Sequence, residues 1–149
     1  MTKKLVIVES PAKANTIKKF LGDDFSVMAS FGHVRDLPEK TFGIDVGKNY
    51  EPKYEVLADK KEVVEKLKKA VKDSDLTYLA TDPDREGEAI SYHLAHLLKI
   101  DPNSKCRITF NEITKQAVSN AMNSIRTIDM DMFYAQQARR ILDRIVGYK

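Results

Sequence analysis

The sequence predicts an α/β fold, with a mostly parallel sheet flanked by helices and followed by the start of a helical domain. Residues 5–8, Leu-Val-Ile-Val, form a continuous apolar run rich in β-branched residues, as in a parallel strand that is buried on both faces. Residues 76–81 form a second apolar, β-favouring run. Helical patterns separate such runs up to about residue 112, and only helical patterns follow. We therefore expect an α/β domain over residues 1–112 and the truncated opening helices of a second domain over residues 113–149.

The first half of the chain alternates between the two patterns. Ser10 is a good helix N-cap and Pro11 suits a first helical turn, so a helix is expected from there to Gly22. A strand is predicted over 25–31, then a long connection over 34–54 and a short strand over 54–57. Asp59, with Glu62 three residues later, resembles a capping box and predicts another helix. That helix has an apolar stripe formed by Val63, Val64, Leu67, Ala70 and Val71.

The second half begins with the strand over 76–81. Helical spacing follows over 86–98, with one face formed by Ala89, Ile90, His93, Leu94, Leu97 and Leu98. Apolar alternation predicts a strand over 106–110. A helix from Thr114 has a stripe formed by Ala117, Val118, Ala121, Met122 and Ile125. A last helix is expected from about Asp131, with a buried face formed by Ala138, Ile141, Leu142 and Ile145.

The composition excludes several classes of protein. The 149 residues include 25 Lys and Arg against 22 Asp and Glu, so a net charge of +3 argues little about nucleic acid. Cys106 is the single cysteine, which rules out a disulfide within the chain and disfavours a Cys/His zinc site. We expect it to be a buried, reduced thiol. No run reaches the length of a membrane span or resembles a signal peptide, so we expect a cytoplasmic protein without a membrane partner.

An acidic turn follows the strand over 76–81. Asp82, Asp84 and Glu86 leave the end of that strand together, and all-oxygen ligands suit Mg²⁺ or Ca²⁺. An EF-hand calcium loop is disfavoured, because its twelfth position would be His93 rather than a bidentate Glu and because a strand enters the turn. A solvated acidic turn that caps the next helix remains an alternative on this spacing alone.

Glu9 ends the first predicted strand in the same way. Ligands of open α/β sheets bind at the carboxyl ends of the strands. If the strands at 5–8 and 76–81 are neighbours, Glu9 converges with the three acidic residues of the turn. Lys13 lies four residues beyond Glu9 and within reach of the same crevice. Carboxylates, a divalent cation and a lysine together suit phosphoryl transfer.

These two segments resemble a known family. Residues 8–13, Val-Glu-Ser-Pro-Ala-Lys, and residues 81–88, Thr-Asp-Pro-Asp-Arg-Glu-Gly-Glu, together resemble the Toprim domain of type IA DNA topoisomerases, in the form typical of the bacterial enzymes. Three further segments agree with that family: 30–38 (Ser-Phe-Gly-His-Val-Arg-Asp-Leu-Pro), 110–114 (Phe-Asn-Glu-Ile-Thr) and 136–144 (Gln-Gln-Ala-Arg-Arg-Ile-Leu-Asp-Arg). The resemblance runs from Leu5 to Tyr148 and implies a Rossmann-like Toprim sheet.

The resemblance also implies an activity. Such an isomerase cuts one DNA strand through a tyrosyl ester, passes the other strand and reseals the break, relaxing negative supercoils with Mg²⁺ and without ATP. Glu9 would be the acid/base carboxylate, and Lys13 would stabilise the charged phosphate. The metal ligands would be Asp82, Asp84 and Glu86, with Glu9 sharing the ion. The implied DNA contacts, near a single-stranded segment of the duplex, are His33, Arg139, Arg140, Asp143 and Tyr148.

The chain also departs from the family. The family's nucleophilic tyrosine lies in a later domain, and none of the six tyrosines here stands in that motif. We therefore expect an N-terminal fragment that cannot cleave DNA alone. Two alternatives stay open: another Toprim chemistry, such as a primase-like nucleotidyl transferase or a nuclease, and a non-catalytic module that binds metal or DNA.

Overall fold

A parallel sheet forms the centre of the computed structural model, which describes residues 3–37, 44–45 and 51–147. The strands of the described ranges are β1 (Lys4–Val8), β2 (Phe25–Ala29), β3 (Arg35–Asp36), β4 (Ile44–Asp45), β5 (Glu51–Pro52), β6 (Glu55–Val56) and β7 (Leu76–Leu79). The main sheet has the order β2-β1-β7, and β1 is parallel to both neighbours. The predicted neighbourhood of the strands that precede Glu9 and Asp82 is therefore confirmed.

The described ranges contain five α-helices in addition to this sheet. They are α1 (Pro11–Phe20), α2 (Lys61–Lys72), α3 (Arg85–Leu98), α4 (Lys115–Met122) and α5 (Met130–Gly147), with a 3₁₀ turn at Ala58–Lys60. Ser10 caps α1 as predicted, since its hydroxyl accepts from the Lys13 N–H. Thr114 caps α4 in the same way through the Ala117 N–H. The alternation expected of an α/β fold is present, and the helices that follow residue 113 are as well.

The core has two layers because successive β1 side chains point to opposite faces of the sheet. Leu5 and Ile7 pack on one face with buried residues of α2 and α3. Val6 and Val8 pack on the other face with buried residues of α1 and α4. Cys106 is a free, buried cysteine, as expected. No helix in the described part of the chain is long and apolar enough to cross a membrane.

Several local predictions were wrong. The strand expected over 106–110 is reduced to isolated bridges, in which Arg107 pairs with Leu79 and with Arg126. The capping box at Asp59 does not form, because a 3₁₀ turn precedes α2 and its N-cap Lys60 makes no side-chain capping bond. β2 ends at Ala29 rather than at residue 31. Within the connection over 34–54, residues 38–43 and 46–50 lie outside the described ranges.

The predicted buried face of the last helix was also wrong. Leu142 is 58% exposed and Ile145 is 39% exposed, while Ala138 is exposed and Ile141 half-buried. Instead, α5 is anchored near its start by Phe133, whose ring stacks on Tyr92 of α3 at 3.9 Å between centroids. An apolar stripe at helical spacing reports a face that favours burial, but among the described residues no element covers it.

Candidate functional site

Glu9, Lys13 and Asp82 meet at the carboxyl ends of two adjacent parallel strands. The Glu9 Oε1 atom accepts from the backbone N–H of Asp82 at 2.7 Å, which ties the end of β1 to the turn after β7. The Lys13 ammonium lies 3.4 Å from the same Oε1 and 2.5 Å from Asp82 Oδ1. The side chains of Glu9, Lys13 and Asp82 are 19%, 31% and 47% exposed, respectively. A cation thus sits between two carboxylates in a crevice that is open to solvent.

Local sequence chemistry fixes this arrangement. The pairing of Ile7 with Leu79 brings Glu9 alongside the residues that follow β7. The Thr81 hydroxyl lies 2.6 Å from the Gly87 carbonyl and 2.7 Å from the Ser91 hydroxyl, which folds the turn back onto α3. Gly87 is needed for this fold, because a Cβ there would lie 1.8 Å from the Asp82 carbonyl oxygen. The acidic turn is therefore held by close backbone packing.

Within this cluster, the pKa values of Glu9 and Lys13 are both raised, but for different reasons. Burial raises the pKa of Glu9, and the nearby Asp82 charge adds to the effect, although the Asp82 N–H and Lys13 oppose it. Burial lowers the pKa of Lys13, but its contacts with Asp82 and Glu9 outweigh burial, so the net shift of its pKa is upward. Glu9 thus holds a proton more readily than an ordinary glutamate, while Lys13 stays charged.

The other two acidic residues of the turn have different partners. Asp84 is the N-cap of α3 and accepts from the Gly87 N–H at 2.7 Å through Oδ1. Glu86 contacts His33 Nε2 at 2.9 Å and accepts from the Gln136 side chain at 3.2 Å. Within the described ranges, no three acidic, histidine or cysteine side chains are grouped as a metal site. The four-carboxylate ligand set stays a prediction, and Asp84 performs the capping role that its position also favoured.

A second set of contacts joins α5 to the segment after β2. Arg140 donates to both Asp36 oxygens, at 3.1 and 3.2 Å. Despite burial, this pairing lowers the pKa of Asp36. Burial also opposes the shift of Glu86, yet its bonds to His33 and Gln136 lower its pKa. Charged and polar contacts therefore dock α5 beside the acidic turn.

A buried histidine, His93 of α3, lies beside Arg35 of β3. His93 is 3% exposed and its Nδ1 accepts from Arg35 Nε at 3.0 Å. Burial, reinforced by the positive charge of Arg35, lowers the pKa of His93 to about 3. The rings of Tyr54 and Phe133 meet the His93 ring edge-on. His93 is therefore a neutral acceptor in the core, consistent with its predicted place on the buried face of α3.

Sequence reasoning missed a buried ion cluster next to the site. Glu88 and Arg107 are both fully buried, and Arg107 Nε donates to Glu88 Oε1 at 2.8 Å. Arg126 also pairs with Glu88, and the Asp129 N–H donates to its second oxygen at 2.8 Å. Arg107 further donates to the backbone carbonyls of Thr81 and Asp82. The available signal was an arginine within the apolar run over 106–110.

The predicted DNA-contacting residues fall into three groups. His33 and Arg140 lie in the contacts just described. Arg139 and Asp143 are exposed, and among the described residues they do not form the ion pair that their spacing allows. Tyr148 lies outside the described residues. Their roles toward DNA remain predictions.

The donor chemistry at the strand ends fits a divalent cation. Glu9, Asp82 and the exposed carboxylates of Asp84 and Glu86 offer only oxygen donors, which hard cations such as Mg²⁺ prefer. The Lys13 ammonium already occupies the space between two of these carboxylates. The region between Glu9 and Asp82 therefore favours positive charge.

Two comparisons with known proteins agree with this geometry. The Toprim domain family matches residues 4–113. The chain is also similar to a solved structure of the full-length topoisomerase I of Thermotoga maritima, with 50% sequence identity and a TM-score of 0.91. That match covers 97% of this chain and 24% of the other, so the chain spans about a quarter of the length of that protein.

Proposed function

This chain belongs to the Toprim family, and on that basis we propose that it is the N-terminal part of a type IA DNA topoisomerase. The observation that carries the proposal is the Glu9–Lys13–Asp82 cluster at the ends of β1 and β7. In this proposal the substrate is a single-stranded segment of negatively supercoiled DNA, and the reaction is transesterification that needs no ATP. The 149 residues contribute the phosphate-handling half of the site.

The geometry gives two side chains distinct roles at the scissile phosphate. Only Oε1 of Glu9 is hydrogen-bonded among the described residues, so Oε2 is open to exchange a proton with a phosphate oxygen. Its pKa, which burial raises, suits a group that takes up and releases a proton during the reaction. Lys13 keeps its charge beside the Glu9 carboxylate and stabilises the negative charge of the transition state.

Mg²⁺ is the proposed cofactor, held by Asp82, Asp84 and Glu86 with Glu9 sharing it. When bound, the ion supplies Lewis-acid stabilisation of the phosphate charge. To serve as ligands, Glu86 must exchange its contacts with His33 and Gln136, and Asp82 its contact with Lys13. We expect weak binding in the isolated chain, because Mg²⁺ gives up water reluctantly and often needs substrate phosphate to complete its shell.

Calorimetric titration with Mg²⁺ tests the ligand set. We expect Asp82→Asn to bind Mg²⁺ at least about tenfold more weakly than the parent, because a charged oxygen donor is lost. Asp23→Asn is the matched control, since Asp23 is exposed and lies just before β2, at the amino ends of the strands and opposite the proposed site. Equal affinity for the parent and Asp82→Asn would count against this turn as the ligand set.

Two assays test the assignment to DNA chemistry. Binding of a labelled oligonucleotide should weaken steeply as salt rises, because phosphate contacts dominate. Binding that does not change with salt would contradict this. The purified 149-residue protein should not relax supercoiled plasmid, since it lacks the covalent nucleophile that the family uses. Relaxation by this chain alone would refute that expectation.

The docking of α5 favours the topoisomerase proposal over another Toprim chemistry. Gln136 and Arg140 belong to the segment that resembles type IA enzymes. Gln136 donates to Glu86 of the acidic turn, and Arg140 donates to Asp36. The exposed apolar stripe of α5 further supports a role for residues 113–149 as the opening of a helical domain that packs against more protein. We propose a cytoplasmic location, as for an enzyme of bacterial chromosomal DNA.

A further inference from the structure

Phe31 is held in an unusual and exposed conformation beside the proposed site. Its φ of 60° lies in the left-handed region, which is rare for a bulky side chain, and Gly32 follows with a φ of 86°. The side chain is nevertheless 51% exposed, so its burial does not offset the strain. Strained residues that persist without such compensation are concentrated at functional positions. We therefore treat the exposed ring of Phe31 as a contact for a binding partner.

A groove lies directly against this ring. It has a volume of about 280 Å³ and is lined by apolar side chains of α1, β2 and α2, including Pro11, Ala14, Val27, Ala29 and Val63. Asn15, which is exposed, offers amide donor and acceptor atoms at the rim. This volume lies just below the roughly 300–1,000 Å³ typical of drug-sized ligands and suits one planar ring with polar edges.

The surroundings of the groove are cationic. Lys66 lines it, and the Lys60 ammonium lies 5.9 Å from the centre of the Phe31 ring. Both lysines have acidic neighbours, Glu62 at 3.5 Å and Asp59 at 3.8 Å, but those carboxylates are 84% and 78% exposed. Exposed pairs of this kind contribute little and exchange readily for a phosphate. The apolar groove is thus flanked by two positive charges.

The groove is continuous with the phosphate-handling residues. The Gly32 N–H donates to the Glu9 carbonyl at 3.0 Å, and the Ser30 N–H donates to the Val8 carbonyl at 2.8 Å. Lys13 and Pro11 share the first turn of α1. Phe31 and Glu9 are therefore fixed to the same strand end. A single strand with one phosphate at Lys13 has its neighbouring nucleotides within reach of this groove.

We infer that Phe31 and this groove form a subsite that takes one unstacked base of single-stranded DNA, next to the phosphate bound at Lys13. The inference rests on the proposed function, since it needs the chain to bind a nucleic acid strand. The base stacks on the Phe31 ring, Asn15 meets its polar edge, and Lys60 and Lys66 contact flanking phosphates. Stacking on an aromatic ring accepts every base, so the subsite holds the strand without reading sequence.

A tryptophan reporter tests the subsite directly. The sequence contains no tryptophan, so Phe31→Trp introduces a single indole at the groove. The probe is an oligothymidylate of about ten nucleotides, a length within the site sizes of single-strand binding proteins. We expect the probe to quench the fluorescence of this indole. An abasic strand with the same number of phosphates should leave the fluorescence unchanged.

Affinity measurements supply the second arm. Phe31→Ala should bind labelled oligothymidylate at least about fivefold more weakly than the parent, while Phe31→Trp retains affinity and the abasic strand binds both alike. Leu76→Ala is the control, because Leu76 is 45% exposed at the other end of the sheet. Circular dichroism establishes that each variant folds.

The outcomes separate this inference from the proposed function. If Phe31→Ala binds like the parent while Lys13→Ala binds weakly, the base subsite is refuted and the phosphate site stands. If no variant and no parent chain binds the strand, both are refuted. Self-association that disappears in Phe31→Ala, without a change in DNA binding, would identify a second copy of the chain as the occupant and refute the base subsite.

Discussion

Two carboxylates that are close in the sequence, Asp82 in the acidic turn and Glu88 in the first turn of α3, have opposite environments. Asp82 is 47% exposed and pairs with Lys13, which it shares with Glu9. Glu88 is fully buried and accepts from Arg107, Arg126 and the Asp129 N–H. A short stretch of chain therefore separates a carboxylate with free oxygen lone pairs from one whose hydrogen-bonding capacity is filled.

The difference shows how one short segment can combine a fixed backbone with a carboxylate that is able to exchange partners. A buried ion cluster is costly to break, because a lone charge would remain without water. An exposed carboxylate can exchange partners at little cost. The Glu88 cluster also holds the backbone of the exposed end, since Arg107 donates to the carbonyls of Thr81 and Asp82. The Glu88 end of this segment fixes the geometry, and the Asp82 carboxylate at the other end can exchange partners.

The strongest test removes the buried charge. Glu88→Gln should lower the free energy of unfolding by about 3–5 kcal/mol, because Arg107 would keep a fully buried and uncompensated charge. Chemical denaturation at pH 7 measures this. Glu65→Gln is the control, since its pair with Lys68 is exposed and should be worth about 1 kcal/mol or less. Similar losses in the two variants would remove the contrast between the two ends of the turn.

The next test changes Gly87, which lies between Asp82 and Glu88 in the sequence. Gly87→Ala should cost about 2–3 kcal/mol, because its Cβ would lie 1.8 Å from the Asp82 carbonyl oxygen and the backbone must shift. Gly22→Ala meets no atom within 4 Å and should be tolerated. Thermal unfolding compares them, and equal melting temperatures would show that the turn adapts without strain.

A pH series tests whether burial lowers the pKa of His93 and so makes the stability of the fold depend on pH. The pKa of His93 is about 3 in the folded chain against 6.5 when unperturbed. The unfolded chain therefore binds more protons between these values, and stability should fall by up to about 1.4 kcal/mol per pH unit below pH 6.5. His93→Gln should flatten this slope above about pH 4.5, where most carboxylates are still ionised. The exposed His96→Gln should keep most of it, and an unchanged slope in His93→Gln would assign the loss elsewhere.

The smallest effect is expected at the open end of the site. The raised pKa of Glu9 means that its stabilising contribution is present below its unperturbed value of 4.5 and is lost as pH rises through the folded pKa. Glu9→Gln should therefore raise the free energy of unfolding at pH 7 by less than about 1 kcal/mol. The gain should disappear near pH 4. A large loss at pH 7 would mean that ionised Glu9 stabilises the fold.

The sequence predicted the parts of the fold that follow from a regular spacing of apolar residues or from local capping residues. The apolar run of β1, the cap at Ser10, the start of α4 near Thr114 and the faces of α2, α3 and α4 were confirmed, because each depends on residues close in the chain. The Glu9–Asp82 meeting was also predictable, since parallel strands align their carboxyl ends.

The remaining features depend on long-range partners. The pairing of Asp36 with Arg140 joins residues 104 positions apart. Glu88 gave no sign that it would be buried while Asp82 stayed exposed, because Arg107 and Arg126 approach from elsewhere in the chain. The stripe on α5 gave a correct periodicity but could not reveal that no element among the described residues covers it.

The position of Lys13 also affects how the stability of the fold should respond when metal ions are removed. Because the Lys13 ammonium lies between Glu9 and Asp82, the chain itself offsets part of the negative charge of these two carboxylates. We expect a chelator to leave the melting temperature unchanged. A fall in the melting temperature on adding the chelator would instead indicate that these carboxylates need a bound cation in the folded chain.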